Sequence, residues 1–111
     1  MRVCMKMINI AEDFSRFPGP RFINLGPYSG EKFKNEVLKP AIENHNSDIV
    51  INLDGTMGYG SSFLEESFGG LIRDGISPEI VFSIINNMIS TEDTSLIDEV
   101  RDYVTDEVNN A

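Results

Sequence analysis

The chain has 111 residues, a net charge of −9, 41% hydrophobic residues, one cysteine and one histidine. That length suits a single domain over residues 1–111. No apolar run approaches the roughly 18 to 20 residues of a membrane span, and no signal-peptide pattern opens the sequence, so the expected compartment is cytoplasmic. Lone Cys4 excludes an internal disulfide, and with lone His45 it leaves no Cys/His zinc framework; the single histidine also argues against a Ser-His-Asp or Cys-His catalytic system.

Arg2 to Ile10 alternates loosely and reads as a strand. Phe17-Pro18-Gly19-Pro20 is a turn, because proline fixes φ and glycine permits positive φ. Arg21 to Leu25 reads as a second short strand, so the pair predicts a hairpin, and Gly26-Pro27 then breaks the chain. From Ser29 or Gly30 to His45 the spacing of Phe33, Val37, Leu38, Ala41 and Ile42 predicts a helix. Pro40 inside it predicts a kink or break, since it lacks a donor and crowds the carbonyl of Glu36.

Asp48 to Leu53 is a β-branched apolar run, the pattern of a central strand buried on both sides. Asp54-Gly55 ends it, and Thr56 to Gly60 forms a glycine-punctuated loop. A helix follows from about Ser62 to Arg73, with Leu64, Phe68, Leu71 and Ile72 inward and Ser62/Glu65 at capping-box spacing. Gly69-Gly70 inside it costs roughly 2 kcal/mol relative to alanines, which predicts a close backbone approach to a neighbouring element. Ser77-Pro78-Glu79 starts another helix. Ile84 to Ser90 fits helix or strand equally by periodicity. A last helix covers about Thr94 to Val108, with Leu96, Ile97, Val100, Tyr103 and Val104 inward. The order β-β-α-β-α-α-(β)-α predicts a mixed α/β domain, a small mixed sheet with helices packed on it.

The charge is unevenly placed. Residues 1–45 hold seven basic and five acidic residues, whereas residues 46–111 hold thirteen acidic residues against Arg73 and Arg101. Such a distribution disfavours nucleic-acid binding, which needs clustered Lys and Arg. It favours a basic protein partner, or serves only solubility.

The densest pattern lies between residues 50 and 66. A buried strand leads to a glycine loop, and the loop presents Ser61 and Ser62 at a helix start, where free N–H groups and a partial positive charge can hold an anion or a phosphoserine. Two readings stand: the serines cap the helix, or Ser61 is a phosphoacceptor that changes partner affinity. A phosphate-cradling P-loop is excluded, because no Gly-x-x-x-x-Gly-Lys-Ser/Thr pattern and no nearby lysine are present. Asp54, Thr56, Gly58, Tyr59, Gly60, Phe63, Glu65 and Glu66 complete the candidate partner-binding surface. Tyr59 is read either as an exposed contact or as packed on the sheet. Glu65 and Glu66 diverge by about 100° on a helix and do not converge on one metal ion. Arg21 is read as a partner contact or, more simply, an ordinary strand-surface charge, and His45 as a residue at a helix C-terminus.

Residues 48–73 resemble the STAS domain of bacterial anti-sigma factor antagonists, in which a hydrophobic strand and an aspartate lead through a loop to Asp-Ser-Ser-Gly and a helix. On that register Ser61 falls on the phosphoacceptor and Ser62 on the serine after it, while Gly60 replaces the Asp and Phe63 the Gly. The sequence is closer to the STAS-like family of unknown function. That resemblance runs through Pro18-Gly19, Gly26-Pro27-Tyr28-Ser29-Gly30-Glu31-Lys32-Phe33, Leu38-Lys39-Pro40-Ala41, Asp54-Gly55-Thr56, Gly58 to Glu66 and Phe68-Gly69-Gly70-Leu71. It implies a STAS-like fold in which the stretch Ile84 to Ser90 ends in a strand. It also implies a kind of partner, a histidine-kinase-like ATPase, and an origin on phages or mobile elements for many members. The expected function is thus a non-enzymatic regulatory binding module with no cofactor and no bound metal. The alternative is an acidic inhibitor encoded by a phage or mobile element that occupies a basic surface of a host protein.

Overall fold

The computed structural model describes residues 5–110. Strand β1 covers Lys6–Asn9 and β2 covers Ile49–Asn52. They pair in parallel, Lys6 opposite Ile49 and Asn9 opposite Asn52. On the far side of β2, Ile89 adds one parallel bridge: its N–H donates to the Ile51 carbonyl (2.9 Å) and its carbonyl accepts from Leu53 N–H (2.8 Å). β2 is therefore central, as its β-branched run predicts, but it is not buried on both sides: Ile49 and Ile51 are buried, while Val50 and Asn52 on the other face are half-buried. Helices cover the face carrying Ile8, Ile49 and Ile51, each at most 2% exposed, while Met5 and Met7 on the opposite side are 40% and 56% exposed.

Parallel neighbours need a long crossover. Here it holds α1 (Ile10–Asp13), an irregular loop and α2 (residues 30–45). The remaining helices are α3 (residues 61–73), α4 (Pro78–Asn86) and α5 (Ser95–Asn109), giving five among the described residues. Mixed α/β is the observed class.

Several local expectations are corrected. The first strand stops at Asn9 rather than Ile10, and residues 2–4, including Cys4, lie outside the described residues. Asn9 instead starts α1: its side chain accepts from Glu12 N–H (3.1 Å), and its own N–H donates to the Asp13 carboxylate (2.8 Å). This reciprocal cap turns the chain away from the sheet. Arg21 to Leu25 is not a strand and makes no hairpin; Ile23–Leu25 is a 3₁₀ turn. The segment bonds to residues 28–31 instead, through Gly19 N–H to the Tyr28 carbonyl, Gly30 N–H to Pro20 and Glu31 N–H to Arg21 (2.9 Å each). The Ile23 N–H goes to the Glu31 carboxylate (2.9 Å) and the Leu25 N–H to the Phe22 carbonyl (3.0 Å), so these donors are not available to a ladder.

Both α2 and α3 contain one π-helical turn, Lys34–Leu38 and Glu65–Gly69. Lys39 N–H reaches back five residues to the Lys34 carbonyl, and Gly70 N–H reaches Glu65 in the same way. The π turn explains why Pro40 does not end the helix: Pro40 enters at the start of the α-segment Lys39–His45, where a missing donor costs little. Ser29 caps α2 as its position suggests, accepting from Lys32 N–H (3.0 Å). The stretch from Ile84 resolves in both directions, helix through Asn86 and then the bridge at Ile89.

Gly69 and Gly70 do not face a neighbouring backbone at close range. A Cβ on Gly69 would lie 2.6 Å from the Glu65 carboxylate, and one on Gly70 would lie 3.0 Å from the Lys34 side chain. Close backbone approaches are instead at Gly19, against the Pro27 carbonyl, and at Gly30, where a Cβ would sit 2.5 Å from the Phe63 carbonyl oxygen and so between two helices. That contact locks the start of α2 onto the start of α3.

Candidate functional site

β2 ends at Asn52, and the chain turns at Asp54 beside the segment that follows Ile89. The Asp54 carboxylate accepts from Thr91 N–H (2.9 Å), the Thr91 hydroxyl (2.5 Å) and Glu92 N–H (3.0 Å). Those donors, first the Glu92 N–H and then the Thr91 hydroxyl, hold the Asp54 carboxyl below its ordinary range. Gly55 N–H returns a bond to the Glu92 carboxylate (2.8 Å). Asp54 is thus a clamp between two loops.

Tyr59 follows the second of its two sequence readings. Its hydroxyl donates to the Leu53 carbonyl (2.7 Å), and its ring packs against Phe63 at 5.9 Å. Burial pushes this phenol up to about 12. Between these loops lies an open cavity of about 360 Å³ with Leu53, Tyr59 and Leu96 on its apolar side and Asp54, Glu92 and Asp93 on its polar side. Residues 90–93 were invisible as site residues in the sequence. Their one signal is the abrupt change from an apolar run to Ser90-Thr91-Glu92-Asp93.

Ser61 opens α3 and is exposed; Ser62 is half-buried. The N-cap is Gly60, with no side-chain cap bond, so the expected Ser62/Glu65 capping box does not form. Glu65 is drawn off the helix start by arginines. It pairs with Arg21 and, at 2.7 Å, with Arg73. Arg73 also meets Glu66 at 3.1 Å, so the adjacent carboxylates do converge, on a guanidinium wide enough to span them. Glu66 further binds Lys34 at 2.9 Å, and Lys34 binds Asp74 at 2.8 Å. Burial by itself would lower the Lys34 ammonium, but its bonds to Asp74 and Glu66 outweigh that and raise it.

Two members of the candidate surface are therefore removed from it. Phe63 has no exposure at all and stacks near Phe33 and Phe14 at 6.0 and 6.2 Å. Glu66 is buried and spent on Lys34 and Arg73. Phe63 lies in the regular helical turn Ser61–Leu64, whereas Glu66 lies within the π turn, whose residues Glu66 to Gly69 are all buried. Gly58, Gly60 and Ser61 remain exposed, and Thr56 half-exposed. Arg21, expected to be a surface charge, is tied into the acidic pair. His45 ends α2 as expected.

The loops that precede α2 and α3 expose apolar surface that the sequence did not flag. Met57, Phe17 and Leu25 are 74%, 67% and 64% exposed, with Phe22, Ile23 and Tyr28 also open. Met57 N–H donates to the Arg16 carbonyl (2.8 Å), which brings the two loops together.

A helix-covered parallel sheet with a serine-bearing glycine loop beyond its central strand defines a mixed α/β domain of STAS-like type. The family of STAS-like domains of unknown function (DUF4325) matches residues 29–90, and the chain belongs to it. No curated protein and no protein of solved structure matches the chain. Among the described residues, no helix is long and apolar enough to cross a membrane.

Proposed function

We propose that this domain is a non-enzymatic regulatory module that binds a protein through the loop from Asp54 to Ser61 and the neighbouring loop from Phe17 to Tyr28. The observation that carries the reading is the strong exposure of Met57, on the loop that leads to Ser61, and of Phe17, whose loop is bonded to it through the Arg16 carbonyl. Exposed apolar side chains grouped at one place mark interaction surfaces more often than chance. A dianionic phosphate on Ser61 would stand near Glu65, one helical turn on, and near Tyr103, whose hydroxyl is bonded to Glu99. Added charge there alters the surface a partner meets. The partner favoured by the family resemblance is a histidine-kinase-like ATPase.

The test is binding to such an ATPase from the same genome, measured by calorimetry. Met57→Ser with Phe17→Ser should weaken binding at least tenfold, and Ser61→Asp should change it by a similar factor while Ser61→Ala does not. Unchanged affinity in both sets would defeat the reading.

A second reading rests on α5. Asp98, Asp102 and Asp106 recur every fourth residue and are all exposed, a stripe of negative charge along one helix face. An acidic inhibitor that occupies a basic host surface would use such a stripe.

A further inference from the structure

We propose a second interaction surface, separate from the serine loop: the outer edge of β1 accepts an extended strand from another protein. In the parallel pair, Lys6 N–H bonds to the Asp48 carbonyl (2.8 Å), so Lys6 and Ile8 direct their main-chain groups toward β2. The main-chain groups of Met5 and Met7 then point the other way. Among the described residues no strand pairs with that side. The hairpin partner that the sequence suggested, Arg21 to Leu25, is a 3₁₀ turn elsewhere. The edge closes at Asn9, whose N–H is taken by Asp13. An unpaired strand edge is a template for one kind of occupant, an extended chain.

A groove of about 290 Å³ runs beside this edge, between β1 and α2. Ile8, Val37, Pro40 and Ala41 supply its apolar lining, and Lys6 and Glu36 its charges. Alternate side chains of an added strand on the Ile8 face would enter this groove, while those between would lie beside exposed Met5 and Met7. The occupant is therefore apolar at alternate positions. The groove presents one charge of each sign, so the occupant is a segment of a different protein that sets an acid against Lys6 and a base against Glu36.

The experiment selects a random twelve-residue peptide library, displayed on phage, on the immobilised full chain. Enriched peptides are then synthesised and their affinity measured. Enrichment of sequences with alternating apolar residues is expected. Binding should slow exchange of the Met7 amide at least tenfold, and Met7→Pro should weaken binding at least tenfold. Proline is tolerated at an outward-facing edge position. N-methylation of alternate peptide amides should cause the same loss, a readout independent of how Met7→Pro folds. Ser61→Asp should leave peptide binding unchanged. The proposal is overturned if no sequence is enriched, or if selected peptides bind equally after N-methylation. It is also overturned if Met7 is already protected in a dimer of the free chain.

Discussion

Glu65 sits between two arginines, and its position makes stability depend on acid. Its hydrogen bond from Arg73, opposed by partial burial and aided by Arg21, holds its carboxyl below the ordinary 4.5. Asp74 is held low as well: burial would raise it, but Lys34 and Lys39 prevail. A folded-state value below the unfolded one gives stability that is complete above the unfolded value. It is lost as pH falls through the folded one. The urea midpoint should therefore hold steady down to about pH 4.5 and decline below it. Glu65→Gln should lower stability at neutral pH by about 1 to 2 kcal/mol and flatten part of that acid slope. A slope identical to that of the unmodified chain would show that Glu65 does not carry it.

At the scale of elements, α2 and α3 act as one unit. Each carries a π turn, and the two turns bring Lys34 and Glu66 to 2.9 Å inside the protein. At their starts the fit is backbone against backbone, with Gly30 against Phe63. Alanine at residue 30 would gain about 1 kcal/mol of helix propensity. It would also force a Cβ to within 2.5 Å of a carbonyl oxygen that belongs to the other helix's main chain. Overpacking of this kind costs about 1 to 3 kcal/mol or more, so Gly30→Ala should be net destabilising. Chemical denaturation measures it directly, and a neutral or stabilising result would mean that the helices separate easily. The same unit fixes where Ser61 emerges, so a shift there should also move the serine loop.

Over the whole molecule, charge and exposed apolar surface lie in different places. Among the described residues Asp102 and Asp106 of α5 form no ion pair, while Asp98 meets Arg101 at 3.2 Å and Glu107 meets Arg73 at 2.5 Å. Salt therefore separates the two functional readings. Binding through Met57, Phe17 and Leu25 should change less than about threefold between 50 and 500 mM NaCl. Binding through the Asp98-Asp102-Asp106 stripe should fall by an order of magnitude or more, because exposed charges are screened within about 10 Å at 0.1 M salt. Titrating an identified partner across that range decides which surface is used.

The amino-acid sequence alone determined the central strand, the main helices and the place of the serines. Those features rest on local periodicity, β-branching and capping chemistry, which act over a few neighbouring residues. Only the tertiary structure decided the rest. Tyr59 packs inward because the Leu53 carbonyl needs a donor at that point. Glu65 leaves the helix start because Arg21, 44 residues away, reaches it. Arg21 to Leu25 forgoes a strand because the Arg21 carbonyl and the Ile23 N–H are both taken by Glu31 and the Leu25 N–H turns back to Phe22. Phe63 is buried against Phe14 and Phe33, and Glu66 is buried within a π turn that no short-range pattern announces. In each case a partner distant in sequence competes with the local preference and wins, and its identity exists only once the chain has folded.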